Sequence, residues 1–105
     1  MQYVDYALYV GTQVPVKLYT GIDLTGFTTT NILVIKPDGT EVTWTGSIDS
    51  TDDYGNKYIT YDLVSGDLNQ IGEYGYKSHV INGSIDTKGL IGKFKVLDTW
   101  DDENF

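Results

Sequence analysis

Apolar and polar residues alternate in short runs along most of the chain, and this pattern predicts β-strands. In residues 14–19 the side chains of Val16 and Leu18 fall on one face, and residues 57–63 alternate in the same way. Residues 31–36 form a nearly unbroken apolar run, which predicts a central strand buried on both faces. Further strands are predicted over residues 3–10, 40–47, 75–82 and 90–97, which brings the total to about seven.

Turn residues separate these runs at short intervals, as in all-β sandwiches and barrels. Residues 37–39 (Pro-Asp-Gly) predict a hairpin turn, because Pro presets the first φ angle and Gly accepts the left-handed conformation. Tyr and Thr are abundant and strong helix formers are sparse, so no long helix is expected. Residues 65–71 predict one short 3₁₀ turn between the two sheets.

Charge and composition exclude several classes of protein. The chain has 15 acidic and 7 basic residues and a net charge of −8, so phosphate repels it and nucleic acid is not an expected partner. Without cysteine there is no disulfide, no thiolate metal site and no cysteine nucleophile. No apolar run approaches the roughly 20 residues of a spanning helix, and the first residues lack the features of a signal peptide, so no membrane partner is expected.

Candidate catalytic and metal-binding residues are few. His79 is the only histidine, and it follows Ser78 in a predicted strand, so the two side chains point to opposite faces. Residues 49–56 are rich in Asp, but their spacing is not that of an EF-hand; an exposed loop or a weak surface calcium site are the alternatives. The sequence therefore predicts no enzyme activity, no catalytic or metal-ligating residue and no cofactor.

The nine tyrosines raise the alternative of a carbohydrate-binding module for attachment to a host surface, since aromatic faces stack on sugar rings. Most of these tyrosines fall in predicted strands, where core or cross-strand contacts are the usual role of the ring. A sugar site would need exposed, coplanar aromatic side chains on one sheet face or loop rim.

The two terminal segments are the candidate partner-binding regions. Residues 98–105 contain four acidic residues and no basic residue, with Trp100 and Phe105 as aromatic anchors. A solvated chain end is the alternative interpretation. Residues 1–10 form a predicted N-terminal arm with Tyr3 and Tyr6 as its anchors, and residues 1–97 form a single domain.

A motif before the strand at residues 75–82 resembles the entry to strand F of immunoglobulin domains, which is Asp-x-Gly-x-Tyr-x-Cys. Gly72 and Tyr74 occupy the Gly and Tyr places, while Gln70 replaces the Asp and Tyr76 replaces the Cys. Trp44 lies upstream, as a strand-C Trp would. The resemblance implies an antiparallel immunoglobulin-like sandwich without a disulfide, in which Tyr74 forms a tyrosine corner.

A second resemblance spans about residues 12–97. The order of motifs is similar to the immunoglobulin-like domain of phage virion proteins, and the nearest family is the N-terminal domain of baseplate upper proteins. The motifs that carry it are residues 23–26, 32–40, 58–63, 72–76 and 92–96.

This second resemblance implies a non-enzymatic structural or adaptor protein of a bacteriophage particle, in the tail, neck, baseplate, fibre attachment or capsid decoration. It also implies a protein made in the host cytoplasm and assembled into a virion. Other phage structural proteins in a multimeric assembly would be its partners.

Overall fold

The fold is all-β in a computed structural model that describes residues 8–49 and 55–98. Within those ranges the chain forms nine strands and no helix, so no described helix is available to span a bilayer. The strands are β1 (Leu8–Tyr9), β2 (Pro15–Tyr19), β3 (Thr29–Ile35), β4 (Glu41–Thr45), β5 (Ser47–Ile48), β6 (Tyr58–Asp62), β7 (Gly72–Asn82), β8 (Ile85–Lys88) and β9 (Gly92–Leu97).

The strands form two sheets in a sandwich-like arrangement. The larger sheet has the order β1-β9-β7-β3-β4, is mixed because β1 runs parallel to β9, and is curled like half of a barrel. The smaller sheet has the order β2-β6-β5 and is antiparallel. Strand β7 pairs with β9 through its first half and with β8 through its second half, so β8 and β9 share one edge of β7.

Both sheets contribute alternate residues to one apolar core. Ile32 and Val34 on β3, Ile59 on β6 and Val80 on β7 are buried together, as the alternation in the sequence requires. The prediction that residues 31–36 are buried on both faces was wrong. Ile35 is 46% exposed because the smaller sheet covers only one face of β3.

The strand count of about seven was too low. Strand β5 has two residues, which is too short to show a period, and all four residues of β8 are exposed. Of the strand predicted over residues 3–10 the structure shows β1, while residues 1–7 lie outside the described ranges.

The predicted 3₁₀ turn over residues 65–71 is a hydrogen-bonded turn without a helix. The backbone N–H of Val64 donates to Oδ2 of Asp67 at 2.8 Å, and the N–H of Asp67 donates to the carbonyl of Val64 at 3.0 Å. The turn leads from β6 in the smaller sheet to β7 in the larger one, as expected.

The hairpin turn between β3 and β4 is confirmed. Gly39 has a φ of 90°, and the N–H of Lys36 donates to the carbonyl of Thr40 at 2.8 Å. Oδ1 of Asp38 accepts the backbone N–H of Thr40 at 2.9 Å, and this bond holds the pKa of the carboxyl below its usual value. The turn chemistry is therefore local, which is why the sequence predicts it.

Tyr74 forms the corner that the sequence predicts at the start of β7. Its ring is fully buried and stacks on Phe94 with centroids 5.2 Å apart, and its hydroxyl accepts the backbone N–H of Gln70 at 3.1 Å. Burial raises the pKa of this phenol. Gly72 has a φ of 132°, and a Cβ there would lie 3.1 Å from Pro37, so the corner needs glycine.

Trp44 is buried, but it stands on β4 and not on β3, the strand beside β7. Its ring stacks on Tyr61 of the smaller sheet, with centroids 5.1 Å apart and an interplanar angle of 9°. The two rings therefore join the sheets through the core.

Candidate binding surface

The four residues predicted to bind partners, Tyr3, Tyr6, Trp100 and Phe105, lie outside the described residues. Their roles stay predictions. The structure instead shows what surrounds the candidate catalytic, metal and sugar sites, and it reveals a surface that sequence reasoning missed.

His79 lies on the outward side of β7, and its Nε2 is 2.7 Å from Oδ1 of Asp86 on β8. Ser78 is buried on the opposite side of the strand, as the alternation predicts. The serine and the histidine therefore do not form a nucleophile–base pair.

The acidic segment at residues 49–56 is described only in part, since residues 50–54 lie outside the described ranges. Asp49 is buried, and its Oδ2 lies 2.6 Å from Nζ of Lys17. In the described part of the chain no three His, Asp or Glu side chains are grouped as metal ligands would be. The ordered carboxylate at the start of the segment thus has an ion-pair role.

The described aromatic side chains do not form a sugar platform. Tyr19 is the one exposed ring among them, at 45%, and the ring of Tyr58 is tilted against it by 58°. The two stacked pairs among the described residues are Trp44–Tyr61 and Tyr74–Phe94, and each contains a ring buried in the core, since Trp44 is 3% and Tyr74 is 0% exposed.

The larger sheet carries a shallow groove on its outer face, the face turned away from the smaller sheet. Strand register aligns outward side chains in rows: Leu33 stands between Thr43 and Lys77, and Ile35 stands between Glu41 and Gly75. The groove has a volume of about 450 Å³. We call it the outer groove and define it by Leu33, Ile35, Glu41, Lys77, Lys88 and Ile91.

Gly75 shapes the apolar part of the outer groove. A Cβ at this position would lie 2.8 Å from Cγ2 of Ile35 and 4.0 Å from Cγ2 of Ile91. The missing side chain therefore lets the two isoleucines approach each other across β7. Ile91 is 67% exposed and its neighbour Leu90 is 96% exposed, so the apolar surface continues beyond the groove.

Positive charge is concentrated on the same face. Four of the seven lysines of the chain project from it, namely Lys77, Lys88, Lys93 and Lys95. Three carboxylates share the face, namely Glu41, Glu73 and Asp86, so its formal charge is 4 − 3 = +1 in a chain of −8. Lys93 lies 3.5 Å from Glu73, and Lys77 and Lys88 form no ion pair with any described residue.

Comparison with protein-family models gives no match, and comparison with curated proteins gives none either. An open, apolar groove flanked by lysines is suited to bind an extended segment of another protein.

The predicted strand over residues 90–97 begins two residues too early, and those two residues, Leu90 and Ile91, belong to the exposed aliphatic surface. In the structure they precede β9 and project into solvent. Leu90 and Ile91 lie between Gly89 and Gly92 in an exposed apolar loop, and exposed aliphatic residues grouped in this way indicate a contact surface.

Proposed function

We propose that this chain is a non-enzymatic structural or adaptor protein of a bacteriophage particle, and that it acts through protein–protein contacts in a multimeric assembly. The observation that carries the contact role is the exposed aliphatic surface of Ile35, Leu90 and Ile91 on the larger sheet. Contiguous exposed apolar surface that is rimmed by charged residues is typical of interaction sites.

The immunoglobulin-like fold is part of this proposal. The order β2-β6-β5 corresponds to B-E-D of an immunoglobulin domain, and β9-β7-β3-β4 corresponds to G-F-C-C′. Tyr74 at the start of β7 has the hydrogen bond of a tyrosine corner. Four features depart from that pattern: the larger sheet is curled, β1 pairs with β9 in it, β8 has no counterpart, and the buried Trp44 stands on β4 and not on β3.

Support for a phage protein comes from the motifs that resemble virion domains. Oδ1 of Asp23 accepts both the backbone N–H and the hydroxyl of Thr25, and Gly26 has a φ of 84°, so residues 23–26 close a turn. Residues 37–39 form a hairpin turn and Gly72 and Tyr74 form a corner. Each of these motifs thus has a local structural role, and the resemblance to virion domains depends on their order along the chain.

The test is to locate the chain in particles purified from a culture of the phage or lysogen whose genome encodes it. We expect peptides of the chain in the mass spectrum of purified particles, and antibody label at one defined position in electron micrographs. A chain that is abundant in the lysate and missing from purified particles contradicts the proposal.

A further inference from the structure

The outer groove has the character of a binding site for one chemical class of ligand. Its floor is aliphatic, from Leu33, Ile35 and Ile91, and one side carries the two lysines Lys77 and Lys88. Among the described residues neither lysine has a carboxylate partner within ion-pair distance. An apolar floor beside unpaired ammonium groups fits a segment that combines bulky apolar side chains with carboxylates.

The opposite side of the groove restricts the orientation of such a segment. Glu41 stands on β4, at the other side of the groove, in the row of Ile35 and Gly75, whereas Lys77 stands on β7 in the row of Leu33, and Lys88 stands on β8. Carboxylates of a ligand are repelled by Glu41 and attracted by the lysines of β7 and β8. The acidic residues of the ligand must therefore lie on the β7–β8 side and its apolar residues over β3.

This chain contains a segment of matching chemistry. Residues 98–105 contain four acidic residues, no basic residue, and the two aromatic residues Trp100 and Phe105. The segment carries a net charge of −4, which is opposite in sign to the charge of Lys77 and Lys88. Its two aromatic rings are large enough to cover an open aliphatic groove.

The direction of β9 favours the groove of another molecule over the groove of the same molecule. Strand β9 runs from Gly92, which is paired with Tyr76, to Val96, which is paired with Gly72. The outer groove lies near Gly75 and Lys77, so β9 leads away from it by about 10–17 Å at 3.3 Å per residue. To reach its own groove the chain would have to fold back along β9, whereas the groove of a neighbouring copy can lie ahead of the strand.

We infer that residues 98–105 of one copy bind the outer groove of a neighbouring copy. This inference rests on the proposed function, because it specifies the surfaces through which the subunit assembles. The contact joins two different surfaces, so repetition gives a ring if the rotation closes and a filament if it does not.

The direct experiment uses a fluorescein-labelled synthetic peptide with the sequence of residues 98–105, titrated with the full-length chain and followed by fluorescence anisotropy. We expect saturable binding that weakens between about 50 mM and about 500 mM salt, because partly exposed ionic contacts are screened. A second peptide with alanine in place of Trp100 and Phe105 keeps all four charges, and we expect it to bind more weakly.

The groove is tested by the double variant K77E/K88E, with K36E/K57E as its matched control. Both variants change the net charge by −4, and Lys36 and Lys57 lie outside the outer groove. We expect K77E/K88E to bind the peptide about tenfold more weakly than the control, since complementary charge acts on that scale at partly solvated contacts. Equal binding by the two variants overturns the inference, and thermal unfolding verifies that both are folded.

Light scattering during size exclusion then identifies the occupant. We expect the mass of the wild-type chain to rise with concentration, and the mass of K77E/K88E to rise less than that of K36E/K57E. The inference is overturned if the wild-type chain stays monomeric and if only a chain with alanine in place of Trp100 and Phe105 binds the peptide. In that case residues 98–105 occupy the groove of the same molecule.

The outcome of these experiments is separable from that of the particle experiment. If the chain is found in particles but its groove does not bind the peptide, the proposed function stands and only the groove contact is overturned. If the groove binds the peptide but the chain is absent from particles, the phage assignment is overturned and the chain is a self-assembling protein.

Discussion

The two faces of the larger sheet are formed by alternate residues of the same strands, and they differ in what covers them. On the inner face Ile32, Val34 and Tyr74 are fully or almost fully buried against the smaller sheet. On the outer face Ile35 remains 46% exposed, next to Gly75. Aliphatic residues on both faces of β3 therefore have two roles: the inner ones stabilise the domain and the outer ones form the groove.

The strongest test of this difference compares Ile32→Ala with Ile35→Ala, the same substitution on opposite faces of β3. Ile32 is 0% exposed, so its loss should lower the free energy of unfolding by about 2–5 kcal/mol through lost burial and a cavity. Ile35→Ala should change it by no more than about 0.5–1 kcal/mol, as for other surface substitutions. Urea unfolding measures both, and equal losses would show that the outer face also supports the fold.

The second prediction compares the substitution of glycine by alanine at two positions where the added methyl group would be crowded. At Gly46, between β4 and β5, a Cβ would lie 2.9 Å from the carbonyl oxygen of Thr60 and would also contact Ile59, so Gly46→Ala should cost about 1–3 kcal/mol. At Gly75 the nearest atom is Cγ2 of exposed Ile35, a side chain that can move.

Gly75→Ala should therefore leave the urea midpoint nearly unchanged while it separates Ile35 from Ile91 and alters the groove. The anisotropy titration reports the change in the groove, and the midpoint reports the fold. If Gly75→Ala destabilises as much as Gly46→Ala, the outer isoleucines are more tightly fixed than their exposure indicates.

A smaller effect tests the corner of β7. Tyr74→Phe keeps the buried ring and its stack on Phe94, but it removes the acceptor for the backbone N–H of Gln70. We expect the free energy of unfolding to fall by about 1–2 kcal/mol, which is the usual cost of a buried donor that loses its partner. An unchanged urea midpoint would mean that water replaces the hydroxyl.

Local chemistry explains which parts of the fold the sequence could predict. The turn at residues 37–39, the corner at Tyr74 and the alternation around Ile59 depend on neighbouring residues, and all three are confirmed. Which face of β3 the smaller sheet covers depends on tertiary pairing, so the apolar run at residues 31–36 was misassigned.

The candidate site shows the same limit. The outer groove joins β3 and β4 to residues more than thirty positions away on β7 and β8, and periodicity contains no information on such pairing. The aromatic residues of the terminal segments were identified from composition alone. Their contact role is a prediction that the peptide and light-scattering experiments address.

The last predicted effect appears only at alkaline pH and concerns the phenol of Tyr61 at the edge of the core. Burial raises its pKa from 10 to about 12, and the hydroxyl also donates to Oδ2 of Asp67 at 2.9 Å. Because the folded pKa exceeds the unfolded one, the stabilisation is complete below about pH 10 and is lost as the pH rises to about 12.

The test is Tyr61→Phe, which keeps the ring that stacks on Trp44 and removes the titrating group. Urea unfolding from about pH 9 to about pH 12 should show a smaller fall in stability for Tyr61→Phe than for the wild type, since the other tyrosines contribute equally to both. If the stability of the two proteins falls equally between about pH 9 and about pH 12, the Tyr61 hydroxyl is exposed to solvent. The apolar interior then ends at the ring of Trp44.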